Sequence, residues 1–224
     1  MIEVTRKEIV QLAQDMNCCH VTSALSIVEI INTVYRIKDK EDQVILSKGH
    51  GCLALYVMLR KMGFKPLLFN HPDLDVKNGI MCTSGSLGHG LPIAVGKAIA
   101  SPDKRFFVVM GDGELQEGTV WESLLIIEKY KINNVVIVVD RNYQQSLGWT
   151  SDILPLNNLR DKFLSFGMEV RQVDGHNGNE LSKSLIRSIH PKVVIACTVK
   201  GKGLRDVEGR IGFHVYLPKE DELI

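Results

Sequence analysis

Residues 106–142 read FFVVMGDGELQEGTVWESLLIIEKYKINNVVIVVDRN, and the prediction of the fold starts from their pattern. An unbroken apolar run from Phe106 to Met110 predicts a buried strand, and a second buried strand is predicted over Val135 to Asp140. Between them, Val120 to Lys129 has the spacing of a helix. Apolar strands that alternate with helices are typical of a parallel sheet covered on both faces. The stretch therefore predicts a strand–helix–strand unit of an α/β fold.

The rest of the chain continues this alternation. Thr5 and Glu8 have the spacing of a capping box, and apolar residues follow them at helical spacing. Further helices are predicted over Ala24 to Tyr35, Cys52 to Met62, Gly88 to Ala100 and Glu180 to Ile189, further strands over Val170 to Val173 and Val193 to Val199, and a loop over Phe64 to Gly85. Small residues such as Gly90 and Gly96 predict that the helix ending at Ala100 packs closely. With no linker or repeat in the sequence, we expect one three-layer αβα domain over residues 1–224, with a mostly parallel sheet.

Composition excludes several classes of protein. Hydrophobic residues make up 45% and charged residues 24% of the 224 positions, which is ordinary for a globular protein. A net charge of +1 gives no field that would attract nucleic acid. Apolar runs such as 135–139 are far shorter than the roughly 20 residues of a membrane-spanning helix, and the N-terminus has no apolar signal core. We therefore expect neither a nucleic-acid partner nor a membrane partner.

The five cysteines predict a reducing compartment. They form no C-x-x-C pair, and a disulfide framework does not suit a chain with this apolar content, so free thiols and a cytoplasmic location are expected. Cys18, Cys19 and His20 have the residue types of a zinc site. Adjacent side chains rarely reach one ion, however, and no second pair of ligands has the spacing of a zinc site. We therefore do not expect zinc there.

Polar residues follow the two strands of the opening stretch where each strand ends. Asp112 follows the first strand and Asn142 the second, and the carboxyl ends of parallel strands meet at the edge of the sheet where ligands bind. Their oxygens suit Mg²⁺ or Ca²⁺, and the flanking Gly111 and Gly113 allow backbone amides to approach a ligand closely. This pattern fits a diphosphate held through a divalent cation. By themselves, residues of these types more often form a turn and a strand cap than a binding site.

Five segments, taken in order, resemble the transketolases. GDGELQEGTVWESLLIIEKYKINNVVIVVDRN (111–142) resembles the thiamin diphosphate motif, and the other segments are His20 with the following SALSIVEII, LSKGHG (46–51), TSGSLGHGLPIAVGKAIA (83–100), and TVKGKG (198–203) followed by His214. The resemblance covers nearly the whole chain, but only the N-terminal, diphosphate-binding half of a full-length transketolase. It implies the thiamin diphosphate-binding fold. It also implies transfer of a two-carbon ketol unit from a ketose, expected to be phosphorylated, to an aldose.

The resemblance implies a role for each matching residue. The metal ligands would be Asp112, Asn142 and the backbone carbonyl of Gln144, with Mg²⁺ or Ca²⁺ as the ion. The cofactor would be contacted by His50, Gly85, Leu87, Gly111, Asp112, Gly113, Asn142 and His214. The catalytic residues would be His20, His50, His71 and His214. Imidazole suits this role because it binds hydroxyl groups and transfers protons near neutral pH. A lone histidine is more often a surface or packed residue, and we expect His176 and His190 to be ordinary surface or loop residues.

The resemblance also implies a partner chain. In this family the glutamate that protonates the aminopyrimidine ring of the cofactor lies in the other half of the enzyme. The 27 residues from Thr198 onward are too few for a second α/β domain. We therefore expect a separate C-terminal subunit, with the cofactor bound between subunits of an α2β2 heterotetramer and Glu117 facing the interface.

Some interpretations stay open at this point. The run Cys18-Cys19-His20-Val21-Thr22 replaces the S-G-H-P-G that is common in the family, and the loops around His71 and after Gly148 are short. The cofactor is therefore better supported than the identity of the sugar. The alternatives are a subunit of another thiamin diphosphate enzyme (1-deoxyxylulose-phosphate-synthase-like or 2-oxo acid decarboxylating) and a non-catalytic homologue that binds a partner. Lys200, Lys202, Arg205 and Arg210 fit either a mobile lid over a phosphate or a solvated loop.

Overall fold

The core of the protein is a five-stranded parallel sheet, as described over residues 2–224 by a computed structural model. The strands are β1 (Gln43–Leu46), β2 (Phe106–Gly111), β3 (Val135–Arg141), β4 (Glu169–Asp174) and β5 (Lys192–Cys197). They lie in the order β1-β2-β3-β5-β4, and each of these four pairings is parallel. The predicted strands are confirmed. Strand β1 was not predicted, since four residues are too few to give a clear pattern.

Helices cover both faces of this sheet. They are α1 (Arg6–Met16), α2 (Val21–Leu25), α3 (Val28–Ile37), α4 (Cys52–Lys61), α5 (Gly90–Ala100), α6 (Gly118–Tyr130), α7 (Thr150–Ile153), α8 (Leu159–Ser165) and α9 (Gly178–Ser184). The predicted capping box of α1 is present, with the side chain of Thr5 accepting from the backbone N–H of Glu8. Short 3₁₀ turns occupy Gly49–Gly51, Val76–Asn78, Gly113–Gln116 and Glu220–Glu222.

Alternate residues of each central strand belong to two different cores. On β2, Phe107 and Val109 pack with α1 to α4 and α9, whereas Phe106 and Val108 pack with α5, α6 and α8. Because successive side chains of a strand point to opposite faces, the sheet is buried on both sides. The predicted three-layer αβα architecture is therefore confirmed.

Two predicted helices are wrong in their bounds. The helix expected over Ala24 to Tyr35 is two helices, broken at Ser26 and Ile27. At this break the carbonyl of Ser23 accepts from Lys48 Nζ (3.1 Å), and Ser26 Oγ donates to the carboxylate of Asp140 on β3. The helix is therefore interrupted where its polar groups bond to residues of the sheet edge. The helix expected over Glu180 to Ile189 ends at Ser184, and the Lys192 ammonium then bonds the carbonyl of Ile186 (2.8 Å).

Close packing of α5 on the sheet is confirmed at one glycine and wrong at the other. A Cβ added at Gly90 would lie 2.4 Å from Ser47 Oγ, so only glycine fits there. Gly96, by contrast, has open space around the same position. Gly90 therefore sets how closely the start of α5 approaches the end of β1.

Within residues 2–224, no helix has both the length and the apolar content needed to cross a bilayer. All five cysteines are free thiols.

Candidate active site

One cavity of about 190 Å³ lies at the carboxyl edge of the sheet. The cavity is lined by residues that follow the C-terminal ends of four strands: Lys48 after β1, Asp112 after β2, Asn142 after β3 and Lys200 after β5. Ten of the predicted site residues line it: His50, His71, Gly85, Leu87, Gly111, Asp112, Gly113, Asn142, Gln144 and His214. The predicted juxtaposition of Asp112 and Asn142 at one sheet edge is therefore borne out.

Asp112 connects the loops that follow β2 and β3. Its side chain is buried, Oδ1 accepts from the backbone N–H of Gly113 (2.9 Å), and Oδ2 accepts from that of Tyr143 (2.6 Å). Burial, together with the neighbouring carboxylate of Asp140, raises the pKa of Asp112 to about 7. The carboxylate is therefore costly to ionise until a positive charge comes close to it.

Asn142 is oriented by a buried polar network centred on Asp140. The fully buried carboxylate of Asp140 pairs with Lys48 Nζ and accepts from Ser26 Oγ (2.7 Å) and from Thr198 Oγ1. It also accepts from Asn142 Nδ2 (3.0 Å), so the amide nitrogen of Asn142 faces Asp140. Burial alone would raise the pKa of Asp140, but the charge of Lys48 and these hydrogen bonds hold it below its usual value.

The donor set at this end of the cavity fits a hard divalent cation. Within residues 2–224, no three His, Cys, Asp or Glu side chains are grouped as metal ligands, so an ion at this site would also need amide and carbonyl oxygens. Lys48 pairs with Asp140 rather than Asp112, so the buried charge of Asp112 is open to neutralisation by an added cation. Carboxylate, carboxamide and carbonyl oxygens are the ligands that Mg²⁺ and Ca²⁺ prefer, with phosphate oxygens completing the shell. The residues present therefore fit a metal-bound diphosphate.

Gln144 and Glu114 hold the surrounding loops in place. The side-chain amide of Gln144 donates to the carbonyl of Gly209 (2.7 Å), which ties the loop after β3 to the C-terminal segment. The buried carboxylate of Glu114 accepts from the backbone N–H groups of Gly88 (2.9 Å) and Gly111 (3.2 Å). The loop before α5, which carries Gly85 and Leu87, is thereby fixed against the end of β2.

The four predicted histidines come together at the other end of the cavity. The ring centroid of His20 lies 5.3 Å from that of His71 and 5.2 Å from that of His214, and His50 lies 5.3 Å from His214. His20 packs near the rings of His71 and His214 but does not itself line the cavity. Residues 20, 50, 71 and 214 come from four separate segments, and the fold alone makes them neighbours.

Three of these imidazoles, those of His20, His50 and His214, lie in surroundings that favour the neutral form. Burial lowers the pKa of His20, His50 and His214, and for His214 the charge of Lys200 adds to the effect, giving a pKa of about 3. Over residues 2–224, two buried side-chain polar atoms lack a hydrogen-bond partner: His20 Nδ1 and Ser84 Oγ, next to Gly85. A neutral, unpartnered ring nitrogen is suited to bind a hydroxyl group or exchange a proton.

Sequence reasoning missed Lys48 and placed Lys200 only in a basic stretch that fits a lid or a solvated loop. Lys200 is buried, and its Nζ contacts His214 Nδ1 at 2.9 Å. Burial, with the repulsion of Lys48, lowers the pKa of Lys200 to about 8. Lys200 therefore belongs to neither a mobile lid nor a solvated loop, whereas Lys202 pairs with Glu208 (2.7 Å). Both lysines could have been found from their position in the sequence, because each follows the C-terminal end of an apolar strand by a few residues.

His176 lies in the turn between β4 and α9, as the predicted loop position requires, but its environment is not that of an ordinary surface residue. Its side chain is 15% exposed and makes two polar contacts, one with Glu29 and one with the backbone of Val199. His190 is exposed, as expected.

Comparison with known proteins identifies the family. Residues 1–223 match the family model described as "Transketolase, thiamine diphosphate binding domain". The chain is 36% identical to an apulose-4-phosphate transketolase subunit of Actinobacillus succinogenes, over 98% of this chain and 90% of that one. It is 32% identical to a 6-deoxy-6-sulfo-D-fructose transketolase subunit of Clostridium sp. (strain MSTE9), over 94% of this chain and 88% of that one.

Solved structures agree with this result at the level of the fold. The transketolase of Leishmania mexicana superposes with a TM-score of 0.86 at 23% identity, covering 97% of this chain and 38% of that one. The chain thus spans about two fifths of the length of that transketolase. It belongs to the transketolase family, as the thiamine diphosphate binding domain, and has the α/β fold of that domain.

Proposed function

We propose that this chain is the diphosphate-binding subunit of a two-component transketolase, formed by one domain and active with a separate C-terminal subunit. The observation that carries the proposal is the cavity itself, which combines the oxygen donors of Asp112 and Asn142 with neutral histidines. The names of the relatives support a two-component enzyme. Both names describe a subunit, and the matches cover nearly all of both chains.

At one end of the cavity, this chain holds the cofactor. Asp112, Asn142 and the Gln144 carbonyl bind Mg²⁺ or Ca²⁺, while Gly113 contacts the diphosphate together with His50 and His214, which reach it from the histidine end. The ammonium of Lys200, which contacts His214, adds a positive charge to the cavity, and Gly85 and Leu87 meet the aminopyrimidine. Bound thiamin diphosphate supplies the carbon nucleophile that takes up and passes on the two-carbon unit.

At the other end, the histidines handle the substrate. His20 and His71 bind hydroxyl groups of the sugar, and a neutral ring can both accept and return a proton. Nδ1 of His214 is engaged by Lys200, so its Nε2 is the atom that exchanges a proton. Burial of these rings keeps bulk water away from the reacting atoms.

The substrate is a ketose with an anionic terminus. One relative is named for a sugar phosphate and the other for a sulfo sugar, so the shared feature in the printed names is an acidic group on the sugar. From this chain, Lys200 contributes a buried positive charge that lines the cavity, and the partner subunit supplies most of the contacts with the sugar phosphate. The acceptor is an aldose.

Assembly is most simply an α2β2 heterotetramer with the cofactor between subunits. Glu117 is exposed at the start of α6 and faces the interface in this proposal. The apolar side chains of Leu125 (58% exposed) and Ile126 (43% exposed) on α6 extend that surface. The five free thiols suit the predicted cytoplasmic location, which stays a prediction.

The test is reconstitution with the protein encoded by a neighbouring reading frame. Fructose 6-phosphate, 6-deoxy-6-sulfofructose and pyruvate are offered in turn as donors, with thiamin diphosphate, Mg²⁺ and an aldose phosphate as acceptor. The proposal predicts ketol transfer from a ketose, in the mixture only and dependent on both cofactors. Decarboxylation of pyruvate, or no reaction from a stable complex that has bound the cofactor, would contradict it.

A further inference from the structure

His176 connects helix α3 to the chain that leaves β5. Its Nδ1 lies 2.9 Å from Glu29 Oε2 on α3, and its Nε2 accepts from the backbone N–H of Val199 at 2.9 Å. The Val199 donor is an amide and carries a hydrogen that cannot be removed, so Nε2 must be unprotonated. The proton of the neutral ring therefore sits on Nδ1 and points at Glu29. The tautomer is fixed by its partners, and both ring nitrogens are used.

The same carboxylate anchors the chain on the far side of Lys200. Glu29 pairs with Arg6 (2.8 Å), and Arg6 Nε donates to the carbonyl of Lys202 (2.9 Å). Burial would raise the pKa of Glu29, but its bonds with His176 and Arg6 hold it below its usual value, so it is an anion at neutral pH. Val199 and Lys202, the residues on either side of the Lys200–Gly201 pair, are thus both tied to Glu29.

The turn that carries His176 is itself fixed on the end of β5. The backbone N–H of Gly175 donates to the carbonyl of Cys197 at 2.7 Å. A Cβ at Gly175 would lie 2.3 Å from Thr198 Cγ2, so only glycine allows this approach. The turn that carries His176 is therefore fixed to the end of β5, next to Val199, and cannot move independently of that strand.

We propose that His176 is a positioning residue that holds the backbone at Val199 so that the Lys200 ammonium enters the active-site cavity. This inference rests on the proposed function, because Lys200 matters only if the cavity binds an anionic cofactor. Neighbouring anchors at Thr198, which bonds Asp140, and at Gly201, which donates to the carbonyl of Thr22, remain when the imidazole is lost. The effect of losing it is accordingly a weakening of binding and not a collapse of the site.

The experiment compares His176→Phe, which removes both hydrogen bonds, with His176→Gln, whose amide can accept from Val199. His190→Phe is the matched control, since His190 is exposed and remote from the cavity. The first readout is amide hydrogen exchange at Val199, with Val194 in the buried core of β5 reporting global folding. We expect about tenfold faster exchange at Val199 in His176→Phe, the effect of one lost hydrogen bond, with unchanged Val194 and partial restoration in His176→Gln.

The second readout is calorimetric binding of thiamin diphosphate with Mg²⁺ to the complex with the partner subunit, in a double-mutant cycle with Lys200→Met. His176→Phe should weaken binding about tenfold in the natural background and not at all in the Lys200→Met background. An equal loss in both backgrounds, or unchanged exchange at Val199, would overturn the inference. If the unsubstituted complex binds no thiamin diphosphate, the proposed function fails. The exchange rate at Val199 would still show whether His176 holds the backbone at that residue.

Discussion

The two ends of the cavity are built in opposite ways. At the metal end, formed by Asp112, Asn142 and the network of Asp140, the strands contribute buried polar groups that satisfy one another. At the histidine end, formed by His20, His50, His71 and His214, the rings come from loops and helix starts, and His20 Nδ1 has no partner among residues 2–224. Hydrogen bonds at the first end hold the fold together, whereas the second end contains a buried ring nitrogen whose hydrogen-bonding capacity is not used. Substitutions at the metal end should therefore reduce stability, and those at the histidine end should reduce activity.

The largest expected effect is at the buried ion pair of the metal end. Replacing Lys48 by Met leaves the carboxylate of Asp140 buried and uncompensated, which should lower the free energy of unfolding by about 3–5 kcal/mol. Urea unfolding measures this. Lys104→Met is the control, because Lys104 pairs with Glu41 at the surface (3.6 Å) and should cost less than about 1 kcal/mol. Equal costs for the two variants would show that the Asp140 network does not support the fold.

A smaller loss is expected for one hydrogen bond of the same network. Thr198→Val keeps the shape of the side chain but removes the hydroxyl that donates to Asp140. Hydrogen bonds to charged groups contribute about 1.5–3 kcal/mol, so the free energy of unfolding should fall by about 2 kcal/mol. The measurement is again urea unfolding, with Thr198→Ser, which retains a hydroxyl, as the control. No difference between Thr198→Val and Thr198→Ser would contradict the account.

The histidine end should make stability depend on pH. The pKa of His214 is about 3 in the folded protein because of burial and the charge of Lys200, and about 6.5 in an unfolded chain. Between these values the unfolded state binds a proton that the folded state does not, so stability is complete above pH 6.5 and falls as the pH drops. The slope from this one group is about 1.4 kcal/mol per pH unit. His214→Gln should remove this contribution from the measured dependence of stability on pH, whereas His190→Gln should leave the dependence unchanged. The reverse pattern would contradict the lowered pKa of His214.

The smallest expected effect on stability is at His20. Its buried Nδ1 has no partner among the described residues, so His20→Leu should leave the free energy of unfolding unchanged or raise it by up to about 1 kcal/mol. Ketol transfer by the reconstituted complex should fall about 100-fold, because the ring no longer binds or exchanges protons with the substrate. A His20→Leu variant that is destabilised but fully active would contradict the conclusion that the histidine end serves activity and not stability.

The sequence predicted the fold well wherever apolar runs were long. Strands β2 and β3 and helices α4 and α6 follow from periodicity, whereas β1, α7 and α8 have too few residues to give a pattern. The break between α2 and α3 could not be predicted, because it depends on contacts of Ser23 and Ser26 with Lys48 and Asp140, far away in sequence.

For the site, residue types and resemblance predicted the residues that line the cavity, but not the residues that hold them in place. Asp112, Asn142 and the four histidines were predicted as site residues, and in the structure they lie in or beside one cavity. Asp140, Lys48, Lys200 and His176 were not, since each acts through a partner that only the folded chain supplies. A lysine or a histidine in sequence gives no sign of whether its charge is solvated or buried against a carboxylate.

The central claim is that Asp112 holds a divalent cation through which the chain binds a diphosphate. The most direct test is calorimetric titration of thiamin diphosphate, with and without Mg²⁺, into the reconstituted complex carrying either Asp112 or Asp112→Ala. The account predicts Mg²⁺-dependent binding that is weakened by about 100-fold or more in the variant, because a carboxylate ligand of the ion is lost. Equally tight, Mg²⁺-dependent binding to Asp112→Ala would contradict it.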